Sequence, residues 1–598
     1  MARRMGLKAC FQINPRLSGS KPDPVRVVAT HSRAVYYSRV KHSTFSVAVA
    51  LLLALAATRV AIAFAHPYSL ADHGIYQDDA FYFLQIARNA VEGKGFSFDA
   101  SGPTSGFQPL YQLLLVPLVA VSGDGPFMPV RASMLLLAAW AIATGALAFS
   151  LGRRLAGSGA GLAALGLFTF TPYFIIYSAD GQATGLAMFF ALALARVHLW
   201  LFQDGVTRGR SGIVGYGMLA GLAVLARLDL AFLVAALGCD ALLRVRERAE
   251  ARTRSRALVL AAAAALLIWL PWAAYSQHYS GSFLPLSGAA SREIALNLGW
   301  FELDRVWSDP HSPGVFDPDQ PPVGFYADAL TKLGATALME LPLLSPLRFD
   351  VRFHPWTGVN VYTPYQFYLQ YPGILSIAAA AFVAYLVYFL LRRRMRPGLG
   401  LALLLYSALM AFGYGVAVPV HWFYARYLAP PLLLGSVIGV AAVARVLAQS
   451  PPRIRHAMAA LAMTAILAGP LRDLAFFGNL SFATQPPPSP IPAQLERVRS
   501  QLPPDAHLGM FQAGAFAWFA GGGVMNLDGK VNRAAYEALA DGRLHEYVLQ
   551  SGVTHIHAWE FVLGRLSLRH APPEGWRLEP IDPGAHSYDP TLYRIQRL

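Results

Sequence analysis

The sequence predicts a mainly α, polytopic membrane protein: about eleven spanning helices with juxtamembrane helices, followed by a small C-terminal α/β domain. Three observations predict it. Mean hydropathy is +0.40, and 55% of residues are apolar against 14% charged, where soluble chains carry about a quarter charged. The formal charge of +15 falls in short clusters between apolar runs rather than along one face. That is the positive-inside pattern of cytosolic loops, and it removes nucleic acid as a partner. Past residue 492 the long apolar runs stop, and shorter strand-like and helical-period segments take over.

Residues 1–42 form a basic tail in which Arg3, Arg4, Lys8, Arg16, Lys21, Arg26, Arg33, Arg39 and Lys41 face Asp23 alone. The tail is expected in the cytosol. The first span, Ser43 to Ala65, ends in Ala63-Phe-Ala65, which resembles a cleavage site. Its apolar stretch is too long for a signal-peptide core, so a retained signal anchor is expected. An external loop, 66–130, follows. Within it Gln108 to Val121, with Pro109 and Pro117, has about fourteen residues where a span needs about twenty. It is expected at, or dipping into, the outer surface, and that choice sets the parity of everything downstream.

The later spans are Arg131–Leu151, Gly159–Tyr177, Thr184–Phe202, Ile213–Ala226, Asp229–Leu243, Ala257–Tyr275, Ile374–Leu391, Leu399–Val418, Leu428–Leu447 and Ala457–Phe476, with a large external loop at 276–371. Each inward end then meets basic residues: Arg153-Arg154, Arg208 and Arg210, the run from Arg244 to Arg256, Arg392 to Arg396, and Arg453 with Arg455. Counting Gln108–Val121 as a span would put all these clusters outside, so the charge rule favours eleven spans over twelve. Thr484-Gln-Pro-Pro-Pro-Ser-Pro-Ile-Pro492 makes 477–492 a stiff linker. Residues 493–598 read as a periplasmic or extracellular α/β domain: strand His507–Phe511, a Gly/Ala-rich helix or turn Ala513–Gly523, strand Val524–Leu527, turn Asp528-Gly529, helix Ala534–Leu549 and strand Val553–Trp559. Cys10 and Cys239 give no basis for a disulfide or a thiolate metal site. Asn479-Leu-Ser481 matches a glycosylation sequon, a motif too short to carry weight.

Asp78 and Asp79 open a run with helical spacing through Phe81, Leu84, Ala87 and Val91. Acidic side chains suit a helix N-terminus, which accounts for one aspartate better than for two. Like charges side by side at a membrane surface are easier to understand if a cation, a proton or a substrate lies between them. The topology puts Asp78, Asp79, Arg131, Asp180, Arg227, Asp229, His421 and Arg426 at one outer boundary, level with a lipid phosphate. Each has a plainer explanation. Arg131 can snorkel, Arg227 can pair with Asp229, Asp180 can cap the next helix, and His421 and Arg426 can belong to an interfacial aromatic belt. Their convergence on one side points instead to transfer of a group from a lipid phosphate. Arginine can pair two phosphate oxygens, and a facing carboxylate can take a proton from an acceptor hydroxyl. A divalent cation between Asp78 and Asp180 is compatible with the pattern, although no His/Cys cluster demands a metal.

The run Asp78-Asp-Ala-Phe-Tyr-Phe-Leu-Gln-Ile-Ala-Arg-Asn89, continued by Gly93-Lys-Gly-Phe-Ser-Phe-Asp99 and Gly102-Pro-Thr-Ser-Gly-Phe-Gln-Pro109, resembles the first external loop of the GT-C integral-membrane glycosyltransferases. The likeness is nearest to bacterial relatives of the protein mannosyltransferases and aminoarabinose transferases. Arg153-Arg-Leu-Ala-Gly157, Leu225-Ala-Arg-Leu-Asp229, Ala425-Arg-Tyr-Leu-Ala-Pro430 and Val524-Met-Asn-Leu-Asp-Gly-Lys-Val-Asn532 extend it over most of the chain. The resemblance implies a GT-C core in a bacterial inner membrane. It implies inverting transfer of a hexose or pentose, at the outer face, from a polyprenyl-phosphate donor to a hydroxyl of a glycan, lipid or protein. Asp78 and Asp79 take the catalytic positions, and Arg131, which opens the second span, a donor-phosphate position. Arg227, Arg426 and His421 are the further phosphate candidates, and Asp180, Gln182, Tyr82 and Gln108 the substrate-binding ones. Where many relatives carry a carboxylate after a Gly-hydrophobe pair in the second external loop, this chain has Gly181-Gln-Ala-Thr184, with Asp180 just before. The alternatives are transfer of a whole oligosaccharide to asparagine, against which the C-terminal domain carries no WWD-type acceptor-binding motif, a transporter, against which the polar groups gather at one boundary rather than the midplane, and a membrane protein that handles polysaccharide without transferring it.

Overall fold

Long apolar runs dictate the architecture, and the computed structural model describes residues 24–202, 209–243, 248–298, 323–339, 398–419, 424–455, 457, 460, 480–483, 489–559, 562–563, 576–582 and 590–597. Residues up to Ala50 and those from Leu51 onward form two compact units. The functional residues all belong to the second.

The protein is mainly α-helical, with a small five-stranded sheet near the C-terminus. Among the described residues six helices are long and apolar enough to cross a bilayer: Thr44–Phe64, Phe127–Ala156, Thr184–Phe202, Ala251–Ser280, Leu399–Ala417 and Tyr424–Ala448. It is an integral membrane protein. In chain order the helices are α1 (Pro24–Phe64), α2 (Pro67–Asp72), α3 (Asp78–Val91), α4 (Pro109–Val121), α5 (Phe127–Ala156), α6 (Ser158–Phe170), α7 (Pro172–Tyr177), α8 (Thr184–Phe202), α9 (Arg210–Ala226), α10 (Leu230–Leu243), α11 (Arg248–Ser280) and α12 (Leu286–Leu298). Further along come Val323–Met339, Leu399–Phe412 and Tyr424–Ala448. The segment Gln108–Val121 is a helix of 13 residues, α4, too short for a straight crossing. The expected spans Ile374–Leu391 and, almost wholly, Ala457–Phe476 lie outside the described residues, as does His421.

Two expected spans are interrupted, each for a physical reason. Gly159–Tyr177 divides into α6 and α7 at Thr171, because Pro172 has no N–H to continue the ladder and its ring clashes with the preceding turn. Arg59 meets the exposed carbonyls: its guanidinium donates to Phe168 O at 3.2 Å, Thr169 O at 3.2 Å and Ser178 Oγ at 3.0 Å. A buried arginine thus caps the broken helix and ties it to the loop that follows α7. The second interruption is at Gly413–Ala417, where the helix from Leu399 widens into a π turn, a feature common at functional sites. It brings the Tyr414 hydroxyl to donate to Asp229 at 2.8 Å.

The C-terminal sheet has strand order β2-β1-β3-β5-β4, from Leu508–Met510 (β1), Val524–Asn526 (β2), His555–Ala558 (β3), Trp576–Asp582 (β4) and Thr591–Arg597 (β5). The first three strands pair parallel and the last two add antiparallel. The expected single helix 534–549 is two, Arg533–Ala540 and Leu544–Gln550, separated at Gly542, whose φ of +70° ends the first. The sheet's core is Phe511, Leu527, Leu539, Val548 and Ile556.

Candidate functional site

The site is built on α3. Gln77, extended, precedes it, and Asp78 and Asp79 fill its first turn. Successive helical residues point about 100° apart, and here the two neighbouring carboxylates meet different partners.

Asp78 faces the C-terminal region. Its Oδ2 accepts from Gly514 N at 3.2 Å and its Oδ1 from Ala515 N at 2.7 Å, at the start of the helix Gly514–Ala520. The approach is close enough that a Cβ on Gly514 would lie 2.2 Å from the Asp78 carbonyl oxygen, so only glycine fits. Burial pushes the Asp78 carboxyl up to about 6, with the Asp79 charge adding to it and the N–H donors opposing. The same docking uses Tyr82, whose hydroxyl donates to Asp528 Oδ2 at 3.1 Å and accepts from Ala513 N at 3.1 Å. It also uses Asp99, which accepts from Asn526 N at 2.7 Å, and Arg88, whose guanidinium lies 3.6 Å from the Trp518 ring centroid.

Asp79 faces a cavity of about 680 Å³. Its Oδ2 accepts from Arg426 Nη1 at 3.0 Å and its Oδ1 from Lys530 Nζ at 3.2 Å. Burial would raise the Asp79 carboxyl, but Lys530 and Arg426 outweigh it and hold the group down at about 2. Lys530, which burial alone would weaken, is held above its ordinary value by Asp79 and Asp528. Arg426 is fixed from other sides too. It donates to Gln182 Oε1 at 2.5 Å, Gln77 Oε1 at 3.4 Å and the Tyr427 hydroxyl at 3.1 Å.

The second arginine at the cavity, Arg227, pairs with Asp229. It also donates to the carbonyls of Arg426 at 3.2 Å and Tyr427 at 3.4 Å, so it steadies the start of the helix Tyr424–Ala448. Tyr427 stacks on Tyr414 with centroids 4.1 Å apart. Phe83, Phe107, Leu228, Phe232 and Leu284 make most of the remaining wall apolar.

Of the residues the sequence singles out, Asp79, Tyr82, Gln108, Gln182, Arg227, Asp229 and Arg426 line this one cavity. Asp78 lies behind it. Arg131, the fifth residue of α5, does not line it and sits near His66. Asp180 is fully buried in the loop before α8, accepting from Gln182 N at 3.0 Å and the Thr184 hydroxyl at 2.6 Å. Burial pushes its carboxyl up to about 6, against the Thr184 bond and the Arg426 charge. Sequence reasoning quotes Lys530 within a motif without giving it a role. Its signal is a lysine in the turn Asp528-Gly-Lys530, inside an otherwise uncharged run.

Among the described residues no group of three His, Cys, Asp or Glu side chains comes together as a metal site. Asp78 and Asp180 are both engaged by N–H and O–H donors, and both Asp79 oxygens face cations. A divalent ion at Asp79 would require Lys530 or Arg426 to move away, so the arrangement does not fit a metal as it stands.

No protein-family model and no curated protein matches the chain. Among solved structures it is similar to an archaeal oligosaccharyltransferase, AglB from Archaeoglobus fulgidus, in complex with an inhibitory peptide and a dolichol-phosphate. That likeness has 15% identity and a TM-score of 0.49, covering 88% of this chain and 72% of that one. It is also similar to ArnT from Cupriavidus metallidurans bound to undecaprenyl phosphate, with 14% identity and a TM-score of 0.44, covering 91% of this chain and 97% of that one. Both of those proteins are GT-C membrane glycosyltransferases.

Proposed function

We propose that the protein is a membrane glycosyltransferase that moves a sugar from a polyprenyl-phosphate donor to a hydroxyl acceptor, at the outer face of the membrane and with inversion. The observation that carries this reading is the placement of Asp79, a carboxylate opening into a largely apolar cavity between the cations Arg426 and Lys530. Apolar walls suit a polyprenyl chain, the cations suit its phosphate, and the carboxylate suits a proton from the acceptor.

In this reaction the acceptor O–H gives its proton to an Asp79 oxygen while the acceptor oxygen attacks the anomeric carbon. The bond from that carbon to the phosphate oxygen breaks on the opposite side, so the sugar inverts in a single displacement. The leaving polyprenyl phosphate gains a negative charge, and Arg426 stabilises it. Such preorganised donors are worth about 10²–10³ in rate each, and a positioned base about 10²–10⁴. Gln182 and Tyr427 hold the Arg426 fork in place, so little reorganisation is needed as charge develops. The test is incubation of purified protein with a panel of radiolabelled polyprenyl-phosphate sugars. Release or transfer of one sugar is the expected result, and inertness toward the whole panel together with no affinity for polyprenyl phosphate would overturn the reading.

A further inference from the structure

Lys530 reaches the cavity from the C-terminal α/β region, about 450 residues beyond the aspartate it meets. Its backbone is held hard. Lys530 N donates to Asp528 Oδ1 at 2.9 Å, and Gly529 N donates to Asn526 Oδ1 at 3.1 Å. Gly529, at φ +76°, packs against Tyr536. On the other side the Lys530 carbonyl lies so close to the loop before α4 that a Cβ on Gly106 would stand 1.9 Å from it. Tyr82 and Asp78 pin the same region to α3. The side chain contrasts with this. It is a compact ammonium on a flexible four-carbon stem, whereas the Arg426 fork is fixed by Gln77, Gln182 and Tyr427. Both cations line the cavity, and the Lys530 ammonium stands at the space a donor would enter.

We propose that Lys530 is a ligand of the donor phosphate supplied by the C-terminal region, and that on binding it transfers its ion pair from Asp79 to a phosphate oxygen. This rests on the function proposed above. The active site is then composite: α3 supplies the carboxylate, the helix Tyr424–Ala448 supplies Arg426, and the C-terminal region supplies the ammonium. The exchange also orders the reaction. Without donor, Lys530 and Arg426 both occupy Asp79 and make it a poor base. With donor, the phosphate takes the ammonium, and Asp79 regains an oxygen for the acceptor proton. The docking contacts at Asp78, Tyr82 and Asp99 fix the lysine at the distance the exchange needs.

The test measures binding of a polyprenyl monophosphate, and of the matching uncharged polyprenol, to the full-length protein in lipid nanodiscs. Wild type is expected to prefer the phosphate. Lys530→Ala is expected to lose about 10- to 100-fold in affinity for the phosphate, the scale of one charge-assisted hydrogen bond, with polyprenol binding unchanged. Lys530→Arg should recover most of the loss. Lys530→Gln, which keeps a donor toward Asp79 without the charge, replaces the alanine variant if that one does not fold. Unchanged phosphate affinity in Lys530→Ala or Lys530→Gln, with wild type still preferring phosphate, overturns this inference and leaves the proposed function standing. So does an equal loss for both lipids. No preference for the phosphate in wild type overturns both.

Discussion

Asp79→Asn and Asp78→Asn, two neighbouring and chemically identical changes, should fail in different ways. At position 79 the substitution removes the carboxylate that pairs with both Arg426 and Lys530 at the cavity, at contacts of 3.0 and 3.2 Å. A unit-charge pair at about 4 Å is worth roughly 4 kcal/mol at an effective dielectric near 20. Water in the cavity and the relaxation of Lys530 offset most of the loss, so a destabilisation of about 1–3 kcal/mol is expected. Turnover should fall by about 10²–10⁴, because asparagine cannot take the acceptor proton. At position 78 asparagine still accepts one of the two N–H bonds from residues 514 and 515. Burial already disfavours the charge it replaces. Turnover should therefore stay within about tenfold of wild type, and the cost should appear as weaker docking of the C-terminal region, about 1–2 kcal/mol. The assay is transfer from a radiolabelled polyprenyl-phosphate sugar, with thermal unfolding of each variant measured alongside. A dead Asp78→Asn that unfolds normally, beside an active Asp79→Asn, would refute the division of roles.

Replacing Gly514 with alanine forces its Cβ against the Asp78 carbonyl. The C-terminal region should undock at a cost of about 1–3 kcal/mol, read as faster proteolytic cutting near residues 484–492 together with reduced transfer; unchanged cutting would contradict the contact. The pH dependence of stability has a definite sign. Asp78 titrates in the folded protein at about 6, above its ordinary 3.8, so its contribution is present below the ordinary value and is lost as pH rises through 6. Asp79 works oppositely, contributing above 3.8 and losing that contribution as pH falls through about 2. Between these limits Asp78→Asn should flatten the decline of melting temperature with rising pH. Part of the decline remains, because Asp180 is shifted in the same direction; an unaltered slope would count against the buried Asp78 charge. Reporters fused after Asp99 and after Arg396 should lie on opposite sides of the membrane. A common side would break the shared boundary on which the proposed function depends.

The sequence alone carried the class of molecule and most of its helices, because membrane insertion depends on length and hydropathy, quantities that are local and additive along the chain. It also singled out seven residues that line one cavity: the charged ones because they converge on one membrane boundary, and Tyr82, Gln108 and Gln182 through the family resemblance. Helix interruptions were harder. Pro172 was visible, but the buried Arg59 that makes the break tolerable comes from a helix more than a hundred residues earlier. Strands β4 and β5 alternate only in part, with Ile581 and Leu592 out of phase and an irregularity at Pro580–Asp582, so periodicity marks them weakly.

Only the tertiary structure separates the surroundings of the two aspartates. Asp78 and Asp79 are equivalent as text, and the 100° between neighbouring helical residues becomes meaningful once each direction has an occupant: the backbone of Gly514 and Ala515 on one side, Arg426 and Lys530 on the other. Lys530 was beyond sequence reasoning for the same reason. Its role depends on a distance across some 450 residues of chain, and long-range proximity is set by how helices and sheet pack, which no local pattern encodes.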